Sequence, residues 1–304
     1  MKYVSIIVTY NRKELLIKAV QSLFAQTQRP NKIILVDNHS TDGTEQLLED
    51  QGLLTDDLIR YVRLPKNVGG SGGFHVGVKI ALEYHVDWIS LSDDDAIFKP
   101  EYFANISKAT KKYTKVMAFS GTIKLTDGVI QYDQRNRISD WNKFSAFPVS
   151  KNEYNNDFKI DLFTFCGCVI NVDLIKKIGL PRDDFFIWYD DIEYSIRIRR
   201  YSEIVNVPSS VIVHHTKINR SDAAYSCDWR EYYGVRNRTY TIRELGKRRL
   251  WVNVWTVLFF PLMVMRILSK PMYHGNRKHA LYVNFAGFRD GLLRKMGKNN
   301  KFMP

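Results

Sequence analysis

Three adjacent carboxylates, Asp93-Asp94-Asp95, follow directly on the apolar segment Val86-Asp87-Trp88-Ile89-Ser90-Leu91 and Ser92. This order reads as a buried strand with a polar cluster at its carboxyl end, where open α/β sheets bind ligands. In an extended or turning backbone Asp93 and Asp95 share a side, so together they can offer hard oxygen ligands to one divalent cation. Like charges this close are costly unless a cation or a proton lies between them. The plainer reading is an acidic turn capping the next helix, which Lys99-Pro100-Glu101 would start. A second acidic cluster runs Asp183-Asp184-Phe185-Phe186-Ile187-Trp188-Tyr189-Asp190-Asp191-Ile192-Glu193, with a helix expected over 191–200. Here aromatic residues lead up to a carboxylate pair, and apolar surroundings raise a carboxyl's proton affinity, as a general base requires. Carboxylates in a first helical turn also complement the helix dipole, which gives at least one of them a purely structural use.

Both clusters need a scaffold that carries strand and helix ends to one edge, and the first half of the chain has that pattern. Residues 3–10 are a near-continuous apolar run, with Asn11 as a cap for an amphipathic helix over 13–25. A second strand over 32–37 ends on Asp37. The loop Asn38-His39-Ser40-Thr41-Asp42-Gly43 then leads to a helix over 44–50 and a third strand over 58–62. Asn67-Val68-Gly69-Gly70-Ser71-Gly72-Gly73-Phe74, with four glycines in five positions, reads as a loop ahead of a helix over 75–84. Such density implies close approach to a ligand, with amides suited to phosphate, or merely a flexible turn. It matches neither the P-loop nor the dinucleotide fingerprint. Alternation of this kind builds an α/β domain with a mostly parallel sheet and helices on both faces.

At 304 residues the chain can bury a substantial core as one large domain or two smaller ones. Lys and Arg number 45 against 32 Asp and Glu, a net of +13, with the excess in the last third. That imbalance implies an anionic partner: nucleotide phosphate, nucleic acid or an acidic membrane surface. Nucleic acid is disfavoured, since no base-stacking or groove-reading module is legible and the acidic triplet would repel phosphate without metal. Cys166, Cys168 and Cys227 form no disulfide framework and fit a reducing cytosol. The first two are expected on one strand face as core. No secretory leader is read at Met1-Lys2-Tyr3.

Four motifs in order, Thr9-Tyr10-Asn11-Arg12, Val36-Asp37-Asn38-His39-Ser40-Thr41-Asp42-Gly43-Thr44, Asp93-Asp94-Asp95 and Trp188-Tyr189-Asp190-Asp191-Ile192-Glu193, resemble inverting family 2 glycosyltransferases of the GT-A fold. The resemblance spans about residues 4–237, and the glycine-rich stretch looks like the galactofuranosyltransferase and rhamnosyltransferase branch. It implies that Thr9, Tyr10 and Arg12 bind the nucleotide sugar, with the guanidinium on diphosphate, joined by Asn67, Gly69, Gly70 and Asp94. Asp37 would accept the N–H edge of uracil or thymine. Asp93 and Asp95 would hold Mn2+ or Mg2+, completed by a histidine after a Pro-containing strand, which His214 matches better than His215. Asp191 would be the base, with Trp188, Asp190 and Glu193 orienting the acceptor or supporting the base. Read from the residues alone, Arg12 also serves as a solvated helix residue and Asp37 as a turn cap. The implied donor is UDP-galactofuranose, or a dTDP sugar such as dTDP-rhamnose. The implied acceptor is a growing surface glycan, free or carried on a polyprenyl diphosphate. A nucleotidyltransferase shares the paired carboxylates and metal but has no use for a base beyond the diphosphate, so the Asp191 cluster argues against it.

The organisation changes after His215, which divides the chain into a catalytic domain over 1–228 and a basic, aromatic, helical C-terminal extension over 229–304. Tyr232-Tyr233-Gly234-Val235-Arg236-Asn237-Arg238 offers basic groups to a diphosphate or an anionic acceptor. Residues 250–265 carry no charge and contain Pro261, and these sixteen residues fall short of the ~20 needed to cross a bilayer. With Lys247-Arg248-Arg249 before them and Arg266 and Lys270 after, they suit the anionic inner face of the cell membrane. Packing on the catalytic domain, or a homo-oligomer interface, is the competing reading.

Overall fold

A computed structural model of the chain describes residues 1–216 and 228–303. The apolar runs become β1 (Tyr3–Thr9), β2 (Lys32–Asp37), β3 (Ile59–Arg63) and β4 (Trp88–Asp93), joined through α1 (Lys13–Phe24), α2 (Thr44–Asp50) and α3 (Gly69–Ala81). All pairings among these four strands are parallel. Further on come β5 (Ala96–Phe98), α4 (Tyr102–Lys112), β6 (Ala118–Leu125), β7 (Arg135–Asp140), β8 (Ser145–Pro148), β9 (Phe158–Ile160), β10 (Leu162–Phe163), β11 (Cys168–Asn171), α5 (Val172–Ile178), α6 (Asp190–Arg199) and β12 (Ile204–His214). The main sheet runs β3-β2-β1-β4-β11-β6-β12-β5 with β9 beside β12, while β10, β7 and β8 form a small antiparallel sheet.

The main sheet is mixed rather than mostly parallel. β11 runs antiparallel between β4 and β6, and β12 is parallel to β6 but antiparallel to β5 and β9. The strand–helix rhythm that announces a parallel sheet stops after β4, and the later strands are added from either direction. Helices cover both faces as expected. Val4, Ile6, Val8, Ile34, Val36, Ile89 and Leu91 pack under Phe74 and Val78 of α3 and Tyr194 and Ile198 of α6. The alternate residues Tyr3, Ile7, Ile33 and Leu35 meet Leu16 and Val20 of α1 and Phe103 and Ile106 of α4. Burial on both faces is why these strands read as continuous apolar runs.

The glycine-rich stretch is helix, not loop. α3 starts at Gly69, where Asn67 Oδ1 accepts the Gly69 N–H at 2.8 Å. Glycine is a poor helix former, but its missing Cβ lets α3 sit directly on β1. A Cβ on Gly73 would stand 2.6 Å from Val8 Cγ1. Packing therefore overrides propensity. Cys166 and Cys168 are likewise not on one face. Gly167, at φ 77°, reverses the chain between them, so Cys166 joins the α1–α4 side and Cys168 the α3–α6 side. Cys227 lies outside the described residues. In β12 the register to β6 jumps from Val207 opposite Gly121 to Val211 opposite Thr122, leaving residues 208–210 as a bulge. Gly121 admits the Ser210 carbonyl where a Cβ would clash.

The C-terminal part forms α7 (Arg230–Leu245), α8 (Arg249–Ser269) and α9 (Arg277–Leu292). Gly287 and Gly291 bring α9 against α7, since a Cβ on either would stand 2.5 Å from the Tyr232 or Arg236 carbonyl oxygen. α8 meets α9 through Phe260 stacked on Phe288. α8 runs unbroken through Pro261 and past Arg266 for 21 residues. The length limit inferred from the uncharged run therefore does not hold: Leu250–Ser269 is long and apolar enough to cross a membrane, and only 17% of that span is buried. Leu250, Val254, Leu258, Leu262 and Met265, spaced three and four apart, and Val257 beside them are exposed.

On an exposed helix Gly77→Ala would gain about 1 kcal/mol of propensity. In α3 the new Cβ would stand 2.5 Å from Ile6 Cγ2 and 3.3 Å from Val36 Cγ2. Overpacking a closed core costs about 1–3 kcal/mol, so the clash outweighs the propensity. Urea unfolding of Gly77→Ala is expected at a lower midpoint than the parent, and a higher midpoint would mean that α3 is not seated this closely.

Candidate active site

The carboxyl ends of β1, β2 and β4 and the N-terminus of α3 open on one cavity of about 670 Å3. Thr9 donates its hydroxyl to Asp94 Oδ2 at 2.6 Å. Arg12, expected on a diphosphate, is turned onto the triplet, with Nη1 at 3.2 Å from Asp94 Oδ1 and 2.6 Å from Asp95 Oδ2. Asp93 lines the cavity with no hydrogen-bond or ion-pair partner among the described residues. Burial, reinforced by Asp95 and Asp94, lifts its carboxyl well above the usual range, and burial brings Asp94 up to about 6. Asp95 goes the other way: burial opposes its charge, but His214, whenever it carries a proton on Nε2, and Arg12 hold its carboxyl below the ordinary value.

His214 reaches the triplet by strand register. β5 follows immediately on Asp95 and pairs antiparallel with the end of β12, setting His214 opposite Ala96. His214 Nε2 lies 3.2 Å from Asp95 Oδ1, and Nδ1 lies 2.6 Å from Gln131 Oε1. An amide oxygen only accepts, so Nδ1 carries the proton and a neutral His214 turns the Nε2 lone pair toward Asp95. Asp95 Oδ1 is buried and receives no hydrogen bond. Two facing acceptors with no donor between them fit a divalent cation, and the Gln131 contact is the outer partner that fixes a ligand imidazole. No group of three His, Cys, Asp or Glu side chains among the described residues is gathered into a ready-made cation site. Ions such as Mg2+ take one or two carboxylates and draw other ligands from water and substrate phosphates, so the donor set suits an ion that arrives with a diphosphate. His215 does not line the cavity. Its N–H donates to the Asp95 carbonyl at 2.8 Å.

The opposite wall is the loop that enters α6. Phe186, Trp188 and Tyr189 have φ of 68°, 61° and 76°, a region costly for bulky side chains. α7 holds them there. Asn237 Nδ2 donates to the carbonyls of Phe185, Ile187 and Trp188 at 3.0, 3.0 and 2.8 Å, and Arg236 to those of Asp184 and Phe185. Both residues are fully buried, so Arg236, expected to offer charge to an anionic ligand, serves the loop backbone instead. From the other side α3 abuts the loop: Gly69, at φ 79°, has the Phe186 carbonyl where a Cβ would be.

Asp190 and Asp191 begin α6 and line the cavity together with Trp188. Burial pushes Asp191 up to about 6 and, with Asp191 beside it, Asp190 up to about 8. Glu193 does not line the cavity. It pairs with Arg197 at 2.9 Å, whose guanidinium also holds the Ile178 and Leu180 carbonyls, so its place is structural. Tyr10, Asn67, Gly69 and Gly70 line the cavity as expected, but Asp37 does not. Strand alternation aims Asp37 to the Ile33–Leu35 side, where its oxygens accept Ser40 N–H at 2.8 Å and the Tyr61 hydroxyl at 2.7 Å. It caps its own turn, and Asn38 is the residue of that motif at the cavity. Asn38 was readable from its place one step beyond Asp37 on the alternation. Gln131, in a short turn, carried no signal.

Residues 5–179 match the family described as Glycosyl transferase family 2. The chain belongs to glycosyltransferase family 2. This glycosyltransferase is 24% identical over 324 residues to the galactofuranosyltransferase GlfT1 of Mycobacterium tuberculosis, covering 98% of this chain and 96% of that one. It is 22% identical over 246 residues to the dTDP-rhamnosyl transferase RfbF of Shigella flexneri, covering 79% of each. Among solved structures it resembles GalNAc-T7 with UDP, GalNAc and Mn2+, at a TM-score of 0.64 and 15% identity, over 96% of this chain and 56% of that longer one. That likeness is one of fold, and it is GT-A-like.

Asn237→Ala would leave the Ile187 and Trp188 carbonyls without their shared donor, while that of Phe185 keeps Arg236. Unpaired buried groups cost about 1–3 kcal/mol each, so a loss of about 3 kcal/mol is expected by urea unfolding. Asn237→Asp, nearly isosteric but without the donor, should lose as much, and a neutral Asn237→Asp would show that the loop holds its left-handed turns unaided.

Proposed function

We propose that this protein is an inverting, metal-dependent glycosyltransferase that moves galactofuranose from UDP-galactofuranose onto a growing cell-surface glycan. The observation that carries the reading is that Asp191 lines the same cavity as Asp93, Asp95 and His214. Support comes from similarity to a galactofuranosyltransferase over nearly the whole chain. A dTDP-rhamnose-dependent rhamnosyltransferase is the second reading, favoured by the similarity to RfbF.

Mn2+ or Mg2+, held by Asp93, Asp95 and His214, would supply Lewis-acid stabilisation of the departing nucleotide diphosphate. Arg12 is bonded to Asp94 and to Asp95, and an ion that neutralised Asp95 would leave its guanidinium to take the same diphosphate as a bidentate partner. The N-terminus of α3 presents Gly69 and Gly70 to the cavity, and a helix start favours an anion. With Asp37 committed to Ser40 and Tyr61, contact with the base falls to Asn38. Asp191, with its carboxyl near 6, is ionised at neutral pH yet basic enough to take the acceptor hydroxyl's proton as that oxygen attacks the anomeric carbon. Asp190, near 8, stays protonated and leaves Asp191 as the anion of the pair. The exposed indole of Trp188 offers the acceptor sugar an apolar face. The exposed face of α8 and its basic flanks support work at the inner surface of the cell membrane.

A panel of sugar nucleotides assayed with Mn2+ tests the donor, with UDP-galactofuranose expected to turn over fastest. Asp95→Ala should abolish Mn2+-dependent UDP binding measured by calorimetry. Asp191→Asn should keep UDP binding and lose transfer by ~100-fold or more. Because the base works deprotonated, the transfer rate should rise with pH through about 6. Normal transfer by Asp191→Asn, or a rate falling across that range, overturns the assignment. Separately, paired Leu258→Glu and Leu262→Glu changes should release the protein from anionic liposomes at low salt, and undiminished binding would remove α8 from the membrane contact.

A further inference from the structure

Among the described residues, only Asp191 and Thr164 line both the catalytic cavity and a polar groove of about 550 Å3 that leaves it past Asn136 and Ser145. The two stand on one frame. Thr164 follows β10, whose Phe163 pairs with Arg135 of β7. Ser195, one turn into α6, takes the Phe163 N–H on its hydroxyl oxygen at 3.3 Å and donates to the Asp191 carbonyl at 2.7 Å. β10 and the start of α6 are thereby tied at this point. Arg135 fixes the segment that carries Thr164. Its side chain is fully buried and has no carboxylate within ion-pair distance among the described residues. The guanidinium donates to the carbonyls of Gly121, Gln134 and Cys166 at 2.9, 2.8 and 3.2 Å and to Thr164 Oγ1 at 3.4 Å. Burying a charge without a paired anion is costly, and here that cost goes with a segment standing between cavity and groove.

An arginine N–H can only donate, so the half-buried Thr164 accepts on its oxygen, and its own proton, which meets no acceptor among the described residues, is left for a ligand. At Asp191, Oδ1 accepts the Ile192 N–H at 2.7 Å and Oδ2 takes no hydrogen from another described residue. The junction thus offers a ligand one open acceptor and one open donor. An attacking hydroxyl needs the acceptor: its proton passes to Asp191 as its oxygen bonds to the anomeric carbon and the bond from that carbon to the nucleotide diphosphate breaks. A donor on the same oxygen would hold back its lone pair, so the donor suits a neighbouring oxygen. We propose that Thr164 reads the acceptor: its hydroxyl binds the oxygen on the carbon next to the attacking hydroxyl, and Asp191 and Thr164 together select which hydroxyl of a vicinal pair is glycosylated. Arg135 is the positioning residue that keeps the Thr164 proton turned to substrate. This rests on the glycosyl-transfer reading and deepens it by naming the residue that sets the regiochemistry of transfer.

The probe is 1,2-ethanediol, offered to the full chain with UDP-galactofuranose and Mn2+ in competition with water and compared, per hydroxyl, with ethanol. Product analysis gives the share of galactofuranose delivered to each alcohol relative to water. The parent should favour the diol by roughly three- to tenfold, the fold-change that one hydrogen bond gives. Thr164→Val, close in shape but without the hydroxyl, should bring the diol down to the level of ethanol, and Thr164→Ser should restore the preference. Thr164→Ala is the second variant should Thr164→Val fail to fold, and it should lose the preference equally. Because the readout is a ratio of products from the same active molecules, lower stability or a smaller active fraction does not move it. Equal delivery to both alcohols by the parent, none to either included, overturns the inference, as does a preference for the diol that persists in Thr164→Val or Thr164→Ala. Hydrolysis of UDP-galactofuranose in water alone judges the transfer reading separately, so a protein that hydrolyses the donor but treats the two alcohols alike loses only this inference.

Discussion

Five carboxylates, those of Asp93, Asp94, Asp95, Asp190 and Asp191, line a single cavity. Crowding them away from water is the constraint that the rest of the structure answers, because each added negative charge raises the cost of the others. The two walls answer it differently. The triplet is held by two donors, the Thr9 hydroxyl and the Arg12 guanidinium, and faces an imidazole fixed by Gln131. The α6 pair has no ion-pair partner among the described residues and is relieved by a proton, which Asp190 keeps near neutrality. One wall thus collects positive charge while the other is poised to exchange hydrogen ions, and this asymmetry separates binding an anion from activating a hydroxyl.

The second wall also depends on a part of the chain that lies beyond the family match. Residues 5–179 end before Asp191, before His214 and before α7. Yet Asn237 and Arg236 hold the backbone on which Trp188 and Asp190 ride. The C-terminal helices are therefore structural members of the site. The loop between them and the sheet is pressed from below by α3, where only glycine fits at position 69. The glycine-rich stretch serves this contact as well as the seat on β1, so its composition reflects closeness on two sides.

Much of the frame was legible because it follows simple periods. The runs that became β1, β2 and β4 are mostly apolar since both faces are covered, and the triplet and the α6 carboxylates sit at element ends where polarity changes abruptly. What escaped depends on contacts far apart in the chain. Four glycines in five positions argue against a helix until β1 is known to lie beneath them. The spacing of Cys166 and Cys168 implies one face until Gly167 turns the chain over. Asp37 looked like a binding residue from its motif, though the alternation of its own strand points it at Tyr61. Asn237 was visible only as part of a basic segment, and nothing local distinguishes a residue that reaches three carbonyls some fifty positions earlier.

The bulge of β12 sets how this site tolerates changes in chain length. Residues 208–210 swing out opposite Gly121 and are tied to α4, where Ser210 donates to the Tyr102 carbonyl and Asn105 to that of Ser209. Downstream of the bulge the strand runs straight to His214, and side chains alternate faces with every residue. An insertion or deletion of a single residue within 208–210 would leave the sheet paired but present Val213 or His215 to Asp95 in place of His214. This short bend is thus a counting device. Relatives that keep a histidine at the triplet should vary freely in loop length elsewhere, while from the bulge to that histidine they should keep their length, since a slip of even two residues moves the ring about 7 Å along the strand.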